Sequence, residues 1–306
     1  MDLSEARRTW QRDGLVILPR FVPDNVLVAG RRELSMVFPT AGEFHEDTDP
    51  ERNQRFRDEF GGIIDFPFAS TELSLLAVDP RVVDLAEALL ECDDLRVYSI
   101  EAWAKYTGAA SFEQHHHRDY LNHTVLVPAP SARAVQVEMF LYLNDVPAEL
   151  GPPSYVPQSS SANLAALPNW YPRHDGSTDP DAPPGWASTV GRADLYASEI
   201  SAAGPAGTIV AYRLDTFHRG TELTEPCGAR YTIHVNFRTS SADWVGRHSW
   251  PERSISPEWA DFVVRASPRQ LQLFGFPPPG HTYWTQETLA GMASRYPGFD
   301  AEHWLA

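Results

Sequence analysis

The chain has 306 residues, 42% hydrophobic and 22% charged, the composition of an ordinary globular protein long enough to bury a sizeable core. Lys and Arg number 25 against 41 Asp and Glu, a formal net charge of −16 that repels phosphate backbones and anionic membranes, so neither nucleic acid nor a membrane is an expected partner. No stretch approaches the roughly 18 apolar residues of a membrane span; the polar start "MDLSEARRTWQRDG" lacks a signal-type apolar run, and Cys92 and Cys227 lack CxxC spacing, so the expectation is a cytoplasmic protein without disulfides or zinc-thiolate sites.

In chain order, "LSEARRTWQRDG" has helical spacing at Leu3, Ala6 and Trp10 and stops at Gly14. "LVILPRF" follows as a short strand. Two further helices are predicted, "VPDNVLVAGRRELSMVF" with Asp24 as cap and "DPRVVDLAEALLE" with Asp79 as cap. Residues 1–94 are therefore expected to be mainly helical. From 95 the texture turns to strands: "LRVYSIEAWAKY", "AVQVEMFLYLNDV", "GTIVAYRLD" and "ARYTIHVNFRTS". They are rich in Val, Ile, Tyr and Phe, and several alternate apolar with polar as half-buried antiparallel strands do. A mainly β sandwich or barrel with flanking helices is expected over 95–240. Within it, about 158–206 is rich in Pro, Ser, Asp and Gly and reads as a lid-like insert, its Trp170, Tyr171 and Trp186 either lining a substrate cleft or anchoring the loop. The tail, 241–306, returns to helix and loop, and its Trp244, Trp250, Trp259, Trp284 and Trp304 are expected to pack back on the barrel. One domain over 1–306 accounts for the whole pattern.

The segment "FEQHHHRDYLNHT", residues 112–124, carries the chemistry. On a strand, residues i and i+2 share a face, roughly 6.5 to 7 Å apart, so two inward-bending side chains can meet at one cation. His117 and Asp119 stand in that relation. His115 has their parity, whereas His116 and Arg118 face the other way, and His115 and His116 read as solvated residues or supports behind a site. His123 shares the parity of Asp119 and reads as an outward or hydrogen-bonded histidine. One more distant histidine completes a 2-His-1-carboxylate set, which leaves positions open on iron(II). His218, where a strand gives way to a turn, is better placed for this than His234, whose apolar neighbours suit a buried core histidine. Arg230 offers a fork for a carboxylate, and Thr232, on the same face, either adds a hydroxyl donor or is simply a β-former. That combination suits a dicarboxylate cosubstrate.

These segments resemble the phytanoyl-CoA dioxygenase-like family of iron(II)/2-oxoglutarate-dependent oxygenases. "RDGLVILPRFVPDNVLVAGRREL" is similar to the family's opening strand and helix and "HHRD" to its histidine-x-aspartate motif. "FHRGTELTEPCGARYTIHVNFR" resembles the segment carrying the distal histidine and the cosubstrate arginine. The resemblance implies a double-stranded β-helix (jelly-roll, cupin-like) core. It also implies iron(II) on His117, Asp119 and His218, and the distal carboxylate of 2-oxoglutarate on Arg230. Lys105, twelve residues before His117, matches a lysine that some members use near the cosubstrate or substrate, the alternative being a surface strand residue. The implied reaction consumes O2 and 2-oxoglutarate, releases succinate and CO2, and hydroxylates or desaturates a small organic molecule. A carboxylate at Asp119, where related halogenases carry a small residue, implies oxygenation and not chlorination. Two departures stand out: "PQSS" replaces the family's Pro-Gly-Ser-His turn, and Arg118 stands where a smaller polar residue is usual. The competing readings are a cupin-like metal-binding protein without oxygenase activity and a metal-dependent hydrolase or isomerase.

Overall fold

The computed structural model describes residues 2–119, 135–161, 193–242, 247–248 and 250–305. The first helix, Leu3–Asp13, is capped by the Asp2 carboxylate and ends at Gly14, whose φ of 70° is the left-handed conformation that glycine adopts without a Cβ penalty. The second predicted helix is broken: Asp24–Arg32 is followed by a separate turn, Leu34–Val37. Asp24 lies inside its first turn, with Pro23 in the capping position. Asp79 caps Pro80–Leu90 as expected, its side chain accepting from the Arg81 N–H.

Nine strands form two antiparallel sheets among the described residues. The larger contains β1 (Leu15–Leu18), β2 (Ile63–Asp65), β3 (Leu95–Tyr106), β4 (Gln136–Tyr142), β7 (Ile209–Tyr212) and β9 (Ala229–Thr239), in the order β1-β7-β4-β9-β3-β2. The smaller contains β5 (Ser154–Val156), β6 (Ile200–Ser201) and β8 (Phe217–Arg219), in the order β6-β5-β8. The fold is a jelly-roll core with flanking helices. Both edge strands of the large sheet, β1 and β2, come from the helix-rich first third of the chain. The longest ladder joins β3 to β9 from Leu95↔Thr239 to Tyr106↔Ala229.

The alternation along these strands sorts two buried faces. Ile100, Ala102 and Ala104 of β3, Val137, Met139 and Leu141 of β4 and Ile233, Val235 and Phe237 of β9 belong to the main core, together with Val82, Val83, Leu85 and Ala86 of the helix Pro80–Leu90. Each such side chain contributes about 1.5–3 kcal/mol when removed from water. The polar parity is enclosed as well: Glu101, Lys105, Glu138, Arg230, Thr232 and Asn236 are all buried. This face closes against the smaller sheet, as the contact of Tyr155 on Tyr212 shows, with ring centroids 5.0 Å apart.

The tail packs back as its tryptophans predict. Trp250, Trp259, Phe262 and Phe274 enclose Phe66, and Trp284, Phe299 and Trp304 form a second aromatic group. Trp244 lies outside the described residues. No helix among the described residues is long and apolar enough to cross a membrane.

Candidate metal centre and cosubstrate pocket

His218 lies within β8, and not in the turn expected after a strand. The backbone N–H of His117 donates to the His218 carbonyl at 2.9 Å and the His218 N–H donates back at 3.0 Å, an isolated antiparallel bridge that extends the smaller sheet. The bridge sets the two imidazoles side by side, ring centroids 4.3 Å apart. Asp119, two residues beyond His117, turns its carboxylate toward them, Oδ1 lying 3.5 Å from His218 Nε2. One ligand atom from each of His117, Asp119 and His218 falls within 4.8 Å of the other two.

The groups behind these atoms prepare them for a cation. His117 Nδ1 lies 3.1 Å from the His115 carbonyl, and His218 Nδ1 lies 3.1 Å from the Thr216 carbonyl. A carbonyl only accepts, so each Nδ1 carries a proton, which fixes the ring orientation and leaves Nε2 as the nitrogen turned toward the site. Burial, then the neighbouring His218, pushes the His117 imidazole down to about 3, which holds it neutral. Tyr212 donates its hydroxyl proton to Asp119 Oδ2 at 2.8 Å and so aims the other carboxylate oxygen. Two imidazoles and one carboxylate fit iron(II) in both donor type and number.

The opposite parity serves another purpose. His116 is fully enclosed, with Nε2 2.9 Å from Glu199 Oε2, and burial pushes its pKa down to about 4. Arg219 grips the same Glu199 carboxylate through Nε at 2.8 Å and Nη2 at 2.9 Å. Arg118 stacks its guanidinium 3.9 Å over the Phe217 ring. These contacts tie the helix Ala193–Ser198 and Glu199 behind the strands that bear the histidines. His115 is exposed. His123, Trp170, Tyr171 and Trp186, and most of the predicted lid-like insert, lie outside the described residues.

In front of the triad the polar face of the large sheet lines a cavity of about 510 Å³. Strand register arranges that face in rows. Lys105 stands opposite Arg230, and Trp103 beside Thr232 and Tyr142. Glu101 stands beside His234 and Phe140, and Asn236 beside Glu138 and Tyr212. One end is therefore basic. Arg230 is 8% exposed, and its Nη1 has no hydrogen-bond partner among the described residues. Lys105 is 5% exposed, so it is no surface residue; its ammonium sits 4.5 Å over the Phe112 ring. Burial, with the Arg230 charge second, pushes the Lys105 pKa down to about 7. A buried guanidinium with an unmet donor beside a second cation is a receptor for an anion, and a dicarboxylate fits it.

The middle of the cavity is aromatic. His234, which the sequence places in the core, stands on the cavity face, stacked 4.0 Å from Trp103, with Nε2 3.0 Å from Thr232 Oγ1. Even parity with Arg230 and Thr232 puts it there. The far end is acidic, with Glu101 at 3% and Glu138 at 1% exposure. Trp103 Nε1 donates to Glu101 at 2.9 Å and Gln136 Nε2 to Glu138 at 2.5 Å. Arg247 pairs with Glu101 at 3.1 Å. Asp65, Glu101 and His248 also bring potential metal donors together, but Arg253 and Arg247 pair with the two carboxylates, which makes this group an ion-pair network. Sequence reading missed Tyr212, Glu101, Trp103, Glu138 and Phe140. Steps of two residues back from Lys105 reach Trp103 and Glu101, so that signal was available on β3.

The phytanoyl-CoA dioxygenase (PhyH) family model matches residues 10–226. No curated protein matches the chain. Solved structures share the fold. The epimerase SnoN from nogalamycin biosynthesis, in complex with Fe3+, alpha ketoglutarate and nogalamycin RO, is 20% identical with a TM-score of 0.52, over 79% of this chain and 86% of that one. EctD from S. alaskensis with 2-oxoglutarate and 5-hydroxyectoine is 17% identical with a TM-score of 0.53, over 79% and 77%. HygX from Streptomyces hygroscopicus with nickel and 2-oxoglutarate bound is 15% identical with a TM-score of 0.51, over 78% and 87%.

Proposed function

The chain belongs to the phytanoyl-CoA dioxygenase family, and from that premise we propose that it acts as one oxygenase domain hydroxylating or desaturating a small organic molecule, with release of succinate and CO2. It is a 2-oxoglutarate-dependent oxygenase-type enzyme whose cofactor is iron(II) and whose cosubstrates are 2-oxoglutarate and O2. In this reading His117, Asp119 and His218 hold the iron. Arg230 takes the distal carboxylate of 2-oxoglutarate, with Lys105 adding charge and Thr232 a hydroxyl. Iron held there would supply the oxidising chemistry, with 2-oxoglutarate and O2 as cosubstrates.

The protein's own share is positioning and charge. Thr216 and His115 carbonyls orient the imidazoles, and Tyr212 orients Asp119. Trp103, Phe140 and His234 wall the space between the two charged ends of the cavity and keep a substrate against the triad. The observation that carries the reading is the juxtaposition, in one cavity, of a His-Asp-His donor set with a buried arginine whose Nη1 lacks a described partner.

The test is a panel of small molecules incubated with enzyme, iron(II), ascorbate, O2 and 2-oxoglutarate, followed by succinate and by product mass. Succinate that depends on iron and on O2 supports the reading. Turnover of a substrate without O2 or 2-oxoglutarate would replace it with a hydrolase or isomerase, and metal binding without any turnover would favour a cupin-like binding protein.

A further inference from the structure

We propose that a second cavity, at the Leu95 end of β3, is an oxyanion site separate from the metal centre, in which Arg238 and Arg96 take a phosphate group borne on an apolar or aromatic body. The inference goes beyond the oxygenase reading and does not depend on it.

Strand alternation leads there. On β9 the even positions Arg230, Thr232, His234 and Asn236 line the metal cavity, and Arg238 stands one step further along the same face. It lines a different cavity, of about 600 Å³, together with Arg96, Arg247 and His248, with Trp250 and Phe274 in its wall. Arg96 stands directly opposite Arg238 in the ladder of β3 and β9, a relation that brings Cβ atoms within about 4.5–5.5 Å. Two like charges so placed destabilise the pair unless an opposite charge joins them.

The carboxylates nearby are engaged elsewhere. Asp94 pairs with Arg96 at 2.6 Å and accepts from the Ser240 hydroxyl. Glu101 pairs with Arg247 at 3.1 Å. Burial pushes the His248 pKa down to about 4, which holds that ring neutral. Arg238 is left over: among the described residues no carboxylate pairs with it, its Nη1 donates to the Thr239 and Ala242 carbonyls at 3.3 Å each, and its Nε is enclosed without a partner. Burial, and then the Arg96 charge, pulls its pKa below the ordinary arginine value. In a chain with 41 acidic residues against 25 basic ones, an arginine without a carboxylate partner does not reflect a shortage of acids. A bound anion would meet the open donor and offset the repulsion between the two guanidiniums.

Shape selects the anion. A guanidinium fork matches carboxylate and phosphate alike, but the two oxygens of a carboxylate fill one fork, whereas the three acceptor oxygens of a phosphate monoester can engage both opposed arginines. Trp250 and Phe274, ring centroids 5.2 Å apart and edge to face, give the body carrying the phosphate an apolar surface. Arg247 lines this cavity and the metal cavity both, so an occupant here sits beside the acidic end of the latter.

The experiment uses the full chain loaded with Ni(II) and saturated with 2-oxoglutarate, and three probes on one ring: phenyl phosphate, benzoate and phenol. Calorimetry is expected to show phenyl phosphate binding one site at least about tenfold more tightly than either of the others, the size of one hydrogen bond to a charged group. Arg238→Gln and Arg96→Gln should each weaken phenyl phosphate at least about tenfold, whereas Arg230→Ala should leave its affinity unchanged. The melting transition of each variant reports that it is folded. Binding of benzoate or phenol as tight as that of phenyl phosphate overturns the proposal, as does no binding of phenyl phosphate at all. So does unchanged phenyl phosphate affinity in a folded Arg238→Gln protein, or a loss confined to Arg230→Ala, which would put the probe at the cosubstrate anchor. The comparison of the three probes on the unmodified protein decides even where a variant fails to fold.

Discussion

Replacing Lys105 by Met is expected to stabilise the ligand-free protein while weakening its cosubstrate. Lys105 is buried opposite Arg230, and its pKa is pushed from the ordinary 10.5 down to about 7, first by burial and then by the Arg230 charge. A difference of about 3.5, at roughly 1.36 kcal/mol each, corresponds to roughly 5 kcal/mol for keeping the side chain charged in the fold. Loss of the cation–π contact with Phe112 offsets about 1 kcal/mol of that gain. Between about pH 7 and 10.5 the unfolded chain binds the proton that the folded chain has released, so stability rises with pH across this window. The penalty is complete below about 7 and fades toward 10.5. Lys105→Met should therefore gain roughly 3–4 kcal/mol over the unmodified protein near pH 6 and far less near pH 9. Urea denaturation of both proteins, free of 2-oxoglutarate, measures this, and 2-oxoglutarate affinity measured alongside should fall in the variant. No gain near pH 6, or a gain that grows with pH, would refute the reasoning.

Other outcomes follow from the same geometry. Arg230→Ala should weaken 2-oxoglutarate by roughly 2–5 kcal/mol, well over tenfold, with metal affinity nearly intact; unchanged affinity by calorimetry would sink the role. Tyr212→Phe removes the 2.8 Å bond to Asp119 without changing the ring, and a metal titration should show roughly 10–100-fold weaker binding. His117→Ala and His218→Ala should abolish iron-dependent turnover, whereas His116→Ala, which faces Glu199, should retain it; the reverse pattern would overturn the ligand assignment. Excess chloride in the turnover mixture should give no chlorinated product by mass spectrometry, because Asp119 keeps its carboxylate in the triad.

The parts of this protein that are legible in its sequence are those set by local covalent geometry. The i, i+2 relation of His117 and Asp119 holds although, among the described residues, their segment is joined to its neighbour by an isolated bridge, because alternation belongs to the extended backbone itself. The strands β3 and β9 and the capped helix Pro80–Leu90 follow the same logic, since their periodicity and end signals lie within a dozen residues. The break after Arg32 does not, because the helical pattern runs on to Val37 while the backbone opens at Glu33. The pairing of His218 with His117, about a hundred residues apart, depends on backbone hydrogen bonds that either strand could make with other partners. Which parity faces water is likewise not a local property. Alternation predicts a polar face, and a polar face usually meets solvent. Here the small sheet covers it, so Lys105, Arg230, Glu101 and Glu138 are buried together and the charges that repel one another become the two ends of a binding cavity. Only packing one sheet against the other brings that about, because a side chain's dielectric surroundings and its cross-strand neighbours come from residues far away in the chain.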